Sequence, residues 1–96
     1  MKILALEQDV PTISAEAYQP YLKAEALKVW ALQQAGIIRE AYFRQDRSAA
    51  VLVLECENIA EAQQTLDSLP LVKEGLIRFE IIPLKAYPGF ARLFGN

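Results

Sequence analysis

Two stretches of the chain place ionisable and hydroxyl side chains at strand spacing. In residues 37–45, IIREAYFRQ, Glu40, Tyr42 and Arg44 recur at every second position, so a strand puts them on one face. In residues 76–84, LIRFEIIPL, Arg78 and Glu80 recur in the same way. A carboxylate taken out of water can carry protons to and from carbon, and Glu40 is the candidate for that catalytic role. Tyr42, Arg44, Arg78 and Glu80 form the candidate substrate-binding set. Arg44 or Arg78 suits bidentate clamping of a carboxylate, and the Tyr42 hydroxyl can donate to developing charge. The competing reading of the same residues is a satisfied Glu–Arg network that stabilises a sheet face or a dimer interface.

The residues that are missing narrow the chemistry. The chain has no histidine, which removes histidine metal ligands, histidine bases and Ser-His or Cys-His nucleophile activation. The single cysteine, Cys56, allows no intrachain disulfide and reads as an inert buried thiol. No phosphate-cradling glycine loop or metal-ligand cluster is present, so neither cofactor nor metal is expected. The net charge is −2 and there is no basic block, which argues against nucleic acid as a partner. No apolar run reaches 18 residues, and the N-terminus lacks the apolar core of a signal peptide. The expectation is a cytoplasmic protein.

The elements that must position these residues follow from periodicity. Residues 2–7 read as a strand. Pro20 must lie near a helix start, and Leu22, Ala26, Val29 and Trp30 recur at helical spacing, with Glu25 and Lys28 assigned to the polar side. Gly36 suits a left-handed helix stop. A hairpin through residues 45–48 joins the Glu40 strand to residues 49–56, in which 51–54 is an unbroken apolar run of the kind buried on both faces. Asn58 and Glu61 resemble a capping box, and Ile59, Ala62, Leu66 and Leu69 form one stripe, ended by Pro70. The last strand is residues 76–84. Its terminal Pro83 places that end at a sheet edge.

The order β-α-β-β-α-β matches the ferredoxin-like α+β fold, a four-stranded antiparallel sheet with both helices on one face. Residues 1–96 are one domain. Two helices cover one face, yet residues 51–54 ask for two. A second copy on the open face resolves this, so a homodimer is expected. The tail, 87–96, carries Tyr87, Phe90, Leu93 and Phe94, and is expected to pack on the dimer or over the barrel mouth.

With these elements in place the chain resembles the dimeric α+β barrel superfamily, and within it the muconolactone isomerases. The residues that carry the likeness are Pro11, Leu22-Lys23-Ala24, Gly36, Arg39, Leu69-Pro70-Leu71 and Pro88, with residues 36–71 in register without a gap. Residues 72–76, Glu80-Ile81 and Pro83 are similar to the closing segment of YCII-related proteins. The resemblance implies a cofactor-independent isomerase acting by proton transfer on a lactone or related organic acid. Two departures stand out. Glu40 takes the place of a histidine of the isomerases, with Ile38 and Tyr42 in place of tryptophans, and the His-Asp pair of the YCII-related pattern is absent. The alternatives are a non-catalytic dimeric binding or assembly module, a YCII-like protein, or a cofactorless monooxygenase.

Overall fold

The structure is a computed structural model that describes residues 1–95. Four strands, β1 (Lys2–Asp9), β2 (Ile38–Phe43), β3 (Ala50–Glu55) and β4 (Ile77–Pro83), form one antiparallel sheet in the order β2-β3-β1-β4. The helices are α1 (Leu22–Gln34), α2 (Ile59–Asp67) and the single turn α3 (Pro70–Lys73), with 3-10 segments at Ala15–Tyr21 and Pro88–Leu93. This is the ferredoxin-like α+β arrangement that the element order requires. No helix among the described residues is long and apolar enough to cross a membrane.

The two sheet faces differ as strand alternation dictates. Ile3 and Ala5 of β1, Leu52 and Leu54 of β3 and Ile77 of β4 point toward the helices and are buried against Leu32, Ala62, Leu66 and Leu69. The opposite face carries Leu4, Leu6, Val51, Val53 and Ile82, which remain half-buried. Residues 51–54 are therefore covered on one side within a single chain.

Two helix ends share one device. Gly36, at φ 80°, donates from its N–H to the Gln33 carbonyl, and Ile37 donates to Leu32. Gly75, at φ 72°, donates to Val72, and Leu76 donates to Leu71. Both are Schellman stops, and each launches a strand at once, β2 from the first and β4 from the second.

Three local details depart from the sequence reading. The first helix begins as a 3-10 segment with Pro20 inside it and becomes α-helical only at Leu22. Pro70 ends α2 but also opens α3 at its first position, where its missing N–H costs nothing. Third, β2 carries a bulge between Ile38 and Glu40. Arg39 is the extra residue, so Ile38 pairs with Leu54 on the helix side while Glu40 pairs with Val53 on the open side. Strict alternation would have placed Ile38, Glu40 and Tyr42 together; the bulge sends Ile38 into the core. β2 also stops at Phe43, leaving Arg44 in the turn.

Candidate functional site

The five polar residues picked from sequence do not form one cluster within the chain. Glu40 and Tyr42 are exposed on the open face, where the Tyr42 hydroxyl donates to Glu40 Oε1 at 2.6 Å, and Tyr42 also borders a cavity on the helix side. That bond to a carboxylate raises the affinity of Tyr42 for its proton. Arg44 turns to its neighbour Asp46, donating through Nε and Nη2 at 2.8 and 2.6 Å, and this pairing holds the Asp46 carboxyl below its ordinary range. Arg78 and Glu80 lie exposed on edge strand β4, at the opposite edge from β2 with two strands between. A second sheet packed on the open face would be needed to enclose Glu40, Tyr42, Arg78 and Glu80.

A cavity of about 470 Å³ lies on the other side of the sheet, between α1 and the strands. Its floor is built from Leu52 of β3, Ile77 and Phe79 of β4 and Phe43 of β2, and its roof from Leu22, Ala26, Val29 and Trp30 of α1. Trp30 and Phe43 flank an open mouth and are 61% and 68% exposed. Leu32 near the end of α1 is buried, so the helix is seated at one end and stands off the sheet over the cavity.

Two carboxyl groups enter this apolar space. Glu7 reaches it from the helix-facing side of β1, two residues beyond Ala5, and its Oε1 accepts the Ala50 N–H at 2.9 Å. Glu25 reaches it from α1, and its Oε1 accepts the Leu71 N–H at 2.9 Å. Leu71 lies in the first turn of α3, where no helix carbonyl can serve its N–H. Each carboxyl thus keeps one oxygen without a hydrogen bond among the described residues.

Both groups hold their protons more tightly than an ordinary glutamate. Burial is the main cause at Glu7, opposed by the Ala50 bond, with Asp9 adding and Arg47 subtracting. Burial is again the main cause at Glu25, opposed by the Leu71 bond, and the charge of Glu7 pushes Glu25 up further. Both carboxyls are therefore shifted in the same direction, and the charge of one bears on the other. Arg47 is tied to Asp9 at 2.9 Å outside the cavity. Cys56, 4% exposed, is buried in the core with its thiol pushed up by that burial.

Sequence reasoning missed this pair, although both residues left a signal. Glu25 lies three residues after Leu22 and four before Val29, inside the apolar stripe of α1, so it turns inward and does not share the polar side with Lys28. Glu7 continues the inward alternation of Ile3 and Ala5.

Comparison with known proteins bears on the fold. No protein-family model matches the chain, and no curated protein matches it by sequence. Among solved structures, it is similar to 5-chloro-2-hydroxyhydroquinone dehydrochlorinase from Burkholderia phenoliruptrix, in complex with 2,5-dihydroxybenzoquinone. The TM-score is 0.73 at 18% identity, over 93% of this chain and 98% of that one. It is also similar to muconolactone isomerase, with a TM-score of 0.71 at 22% identity, over 92% of each chain. The chain has the fold of muconolactone isomerase.

Proposed function

We propose that the protein is a small-molecule isomerase or lyase-like enzyme that moves a proton on a lactone or related ring, using Glu7 and Glu25. The observation that carries this reading is the apolar cavity into which two carboxyl groups, both raised in proton affinity by burial, each present an oxygen. Two carboxyls in one cavity can divide acid and base roles: Glu7 as the carboxylate takes a proton from carbon beside a carbonyl, and Glu25 in its protonated form returns its own proton to another carbon. After one turnover Glu7 is protonated and Glu25 ionised, and proton exchange with water restores the pair. The free oxygen of each carboxyl is the one available to substrate. The names of the two fold neighbours, an isomerase and a dehydrochlorinase, support proton-transfer chemistry of this type.

The enzyme acts as a homodimer in this reading, with Leu4, Leu6, Val51, Val53 and Ile82 covered by a second sheet. Glu40, Tyr42, Arg78 and Glu80 then frame the interface or its lumen. The test separates the two carboxylate sites. Turnover of a panel of unsaturated lactones, followed as deuterium uptake from heavy water, is expected to fall by about 10²–10⁴-fold in Glu7→Gln and to persist in Glu40→Gln. Loss in Glu40→Gln with retention in Glu7→Gln would move the chemistry to the open face. Absence of uptake in a folded wild-type dimer would leave the binding or assembly module.

A further inference from the structure

The cavity's charge balance says what kind of molecule it can hold. Apart from Glu7 and Glu25, its lining carries no charged side chain, and no lysine or arginine is among the lining residues. Arg47, which acts on Glu7, is paired with Asp9 and does not line the space. A substrate carboxylate entering here would lose its hydration between apolar walls and meet another carboxylate, with no cation to offset either cost. The clamp that a carboxylate-bearing lactone requires is missing from this side of the sheet.

The walls and the free acceptors point elsewhere. Trp30, Phe43 and Phe79 offer aromatic surface to a planar ring. The unused oxygens of Glu7 and Glu25 accept from a hydroxyl when ionised and can donate to one when protonated, so a group that both donates and accepts fits them. The volume, about 470 Å³, is in the lower part of the range for small-ligand sites. We propose that the cavity between α1 and the sheet binds an uncharged, hydroxyl-bearing aromatic ring, a phenol or diphenol, in place of an organic anion. Resting on the proton-transfer reading, this narrows the related ring to a hydroxylated one, whose keto tautomer offers the carbon beside a carbonyl that the reading requires. Hydroxyls donate to the two carboxyl groups while the ring lies against Trp30 and Phe43. A cationic amine is disfavoured as well. Burial biases both carboxyls toward the neutral form, which lessens their pull on a cation, and a compact ammonium gives up more hydration than a hydroxyl does.

Trp30 is the only tryptophan in the chain and stands at the cavity mouth, so its emission reports occupancy directly. Three probes share a phenol ring and differ in charge at neutral pH: hydroquinone, 4-hydroxybenzoate and tyramine. Hydroquinone is expected to shift Trp30 emission saturably, with affinity at least roughly tenfold above either charged probe. In the double variant Glu7→Gln, Glu25→Gln, hydroquinone should bind more weakly, because an amide oxygen is a poorer acceptor than a carboxylate, while the penalty on 4-hydroxybenzoate shrinks several-fold. Tighter binding of 4-hydroxybenzoate or tyramine to wild type, or no saturable response to hydroquinone, would overturn the proposal. An unchanged charge preference in a folded double variant would do the same. Binding and turnover fail separately here. Hydroquinone binding without proton exchange on any ring sinks the catalytic reading alone, and exchange with preference for the anionic probe sinks the ligand class alone.

Discussion

Glu7 and Glu25 face one cavity from opposite walls, and each is held by a single backbone N–H from a third element, Ala50 for the first and Leu71 for the second. The sheet and the helix therefore present two carboxyl groups whose outer oxygens are free. Each carboxyl also ties its own element to another, β1 to β3 and α1 to α3. Function and stability meet at the same two side chains, and pH separates them.

A carboxyl whose proton affinity rises on folding stabilises the protein fully below its unfolded pKa, and that contribution is lost as pH rises through the folded value. Glu25 is raised from an ordinary value of 4.5 by burial and by the charge of Glu7. Glu25→Gln keeps an acceptor for Leu71 and removes the charge. The variant is expected to melt above wild type at neutral pH, with the gap closing as pH falls toward about 4.5 and closed below it. Thermal melts across that range check it, and a gap that widens on acidification would contradict the assignment.

The open sheet face yields a prediction about mass. Val53 lies at its middle, paired with Glu40 on one side and Leu4 on the other. Val53→Lys places a charge where a second sheet is proposed to pack, while the helix-side core is untouched. Wild type should sediment as a dimer, and the variant near the monomer mass of 10.8 kDa. A wild-type monomer over a wide concentration range would remove the dimer from the proposal.

The tail makes its own case. Tyr87 and Phe90 meet edge to face, with centroids 5.0 Å apart at 80°, and the Tyr87 ring rests directly on Gly89. Around that contact Phe90, Leu93 and Phe94 stay exposed, the last at 88%. A segment so arranged gains little within its own chain. Truncation after Ala86 should weaken dimerisation while leaving the secondary structure of the body unchanged. Analytical sedimentation and circular dichroism distinguish this from a tail that has no partner.

Gly36 tests the launch of β2. Its φ of 80° lies where a Cβ is strained, and no atom stands within 4 Å of the position a Cβ would take. Gly36→Ala should therefore cost about 1–2 kcal/mol through backbone strain alone. That corresponds to a drop in Tm of several degrees for a domain of this size. An unchanged Tm would mean that the Schellman stop is not what holds α1 and β2 in place.

Asn58 tests local capping. Its Oδ1 accepts the Glu61 N–H at 2.8 Å, while Glu61 Oε2 accepts from the Glu57 N–H at 3.2 Å, one residue before the cap itself. Asn58→Ala should lower stability by about 1 kcal/mol, measured by denaturant unfolding.

What the sequence determined by itself was set by local rules. Strand alternation in β1, β3 and β4, the single stripe of α2, Gly36 as a helix stop and Asn58 as a cap all act within a few residues, so they are readable without neighbours. Together they carry the element order and hence the fold. Tertiary structure decided the rest. Arg39 becomes a bulge because β2 must fit the register of β3, and that fit sends Ile38 inward and leaves Glu40 outside. Arg44 takes Asp46 because β2 ends one residue earlier. Glu7 and Glu25 are eighteen positions apart, and no local pattern pairs them. Their shared cavity exists because α1 is seated at Leu32 and stands off the sheet toward Leu22, a matter of packing between elements that no single stretch of chain encodes.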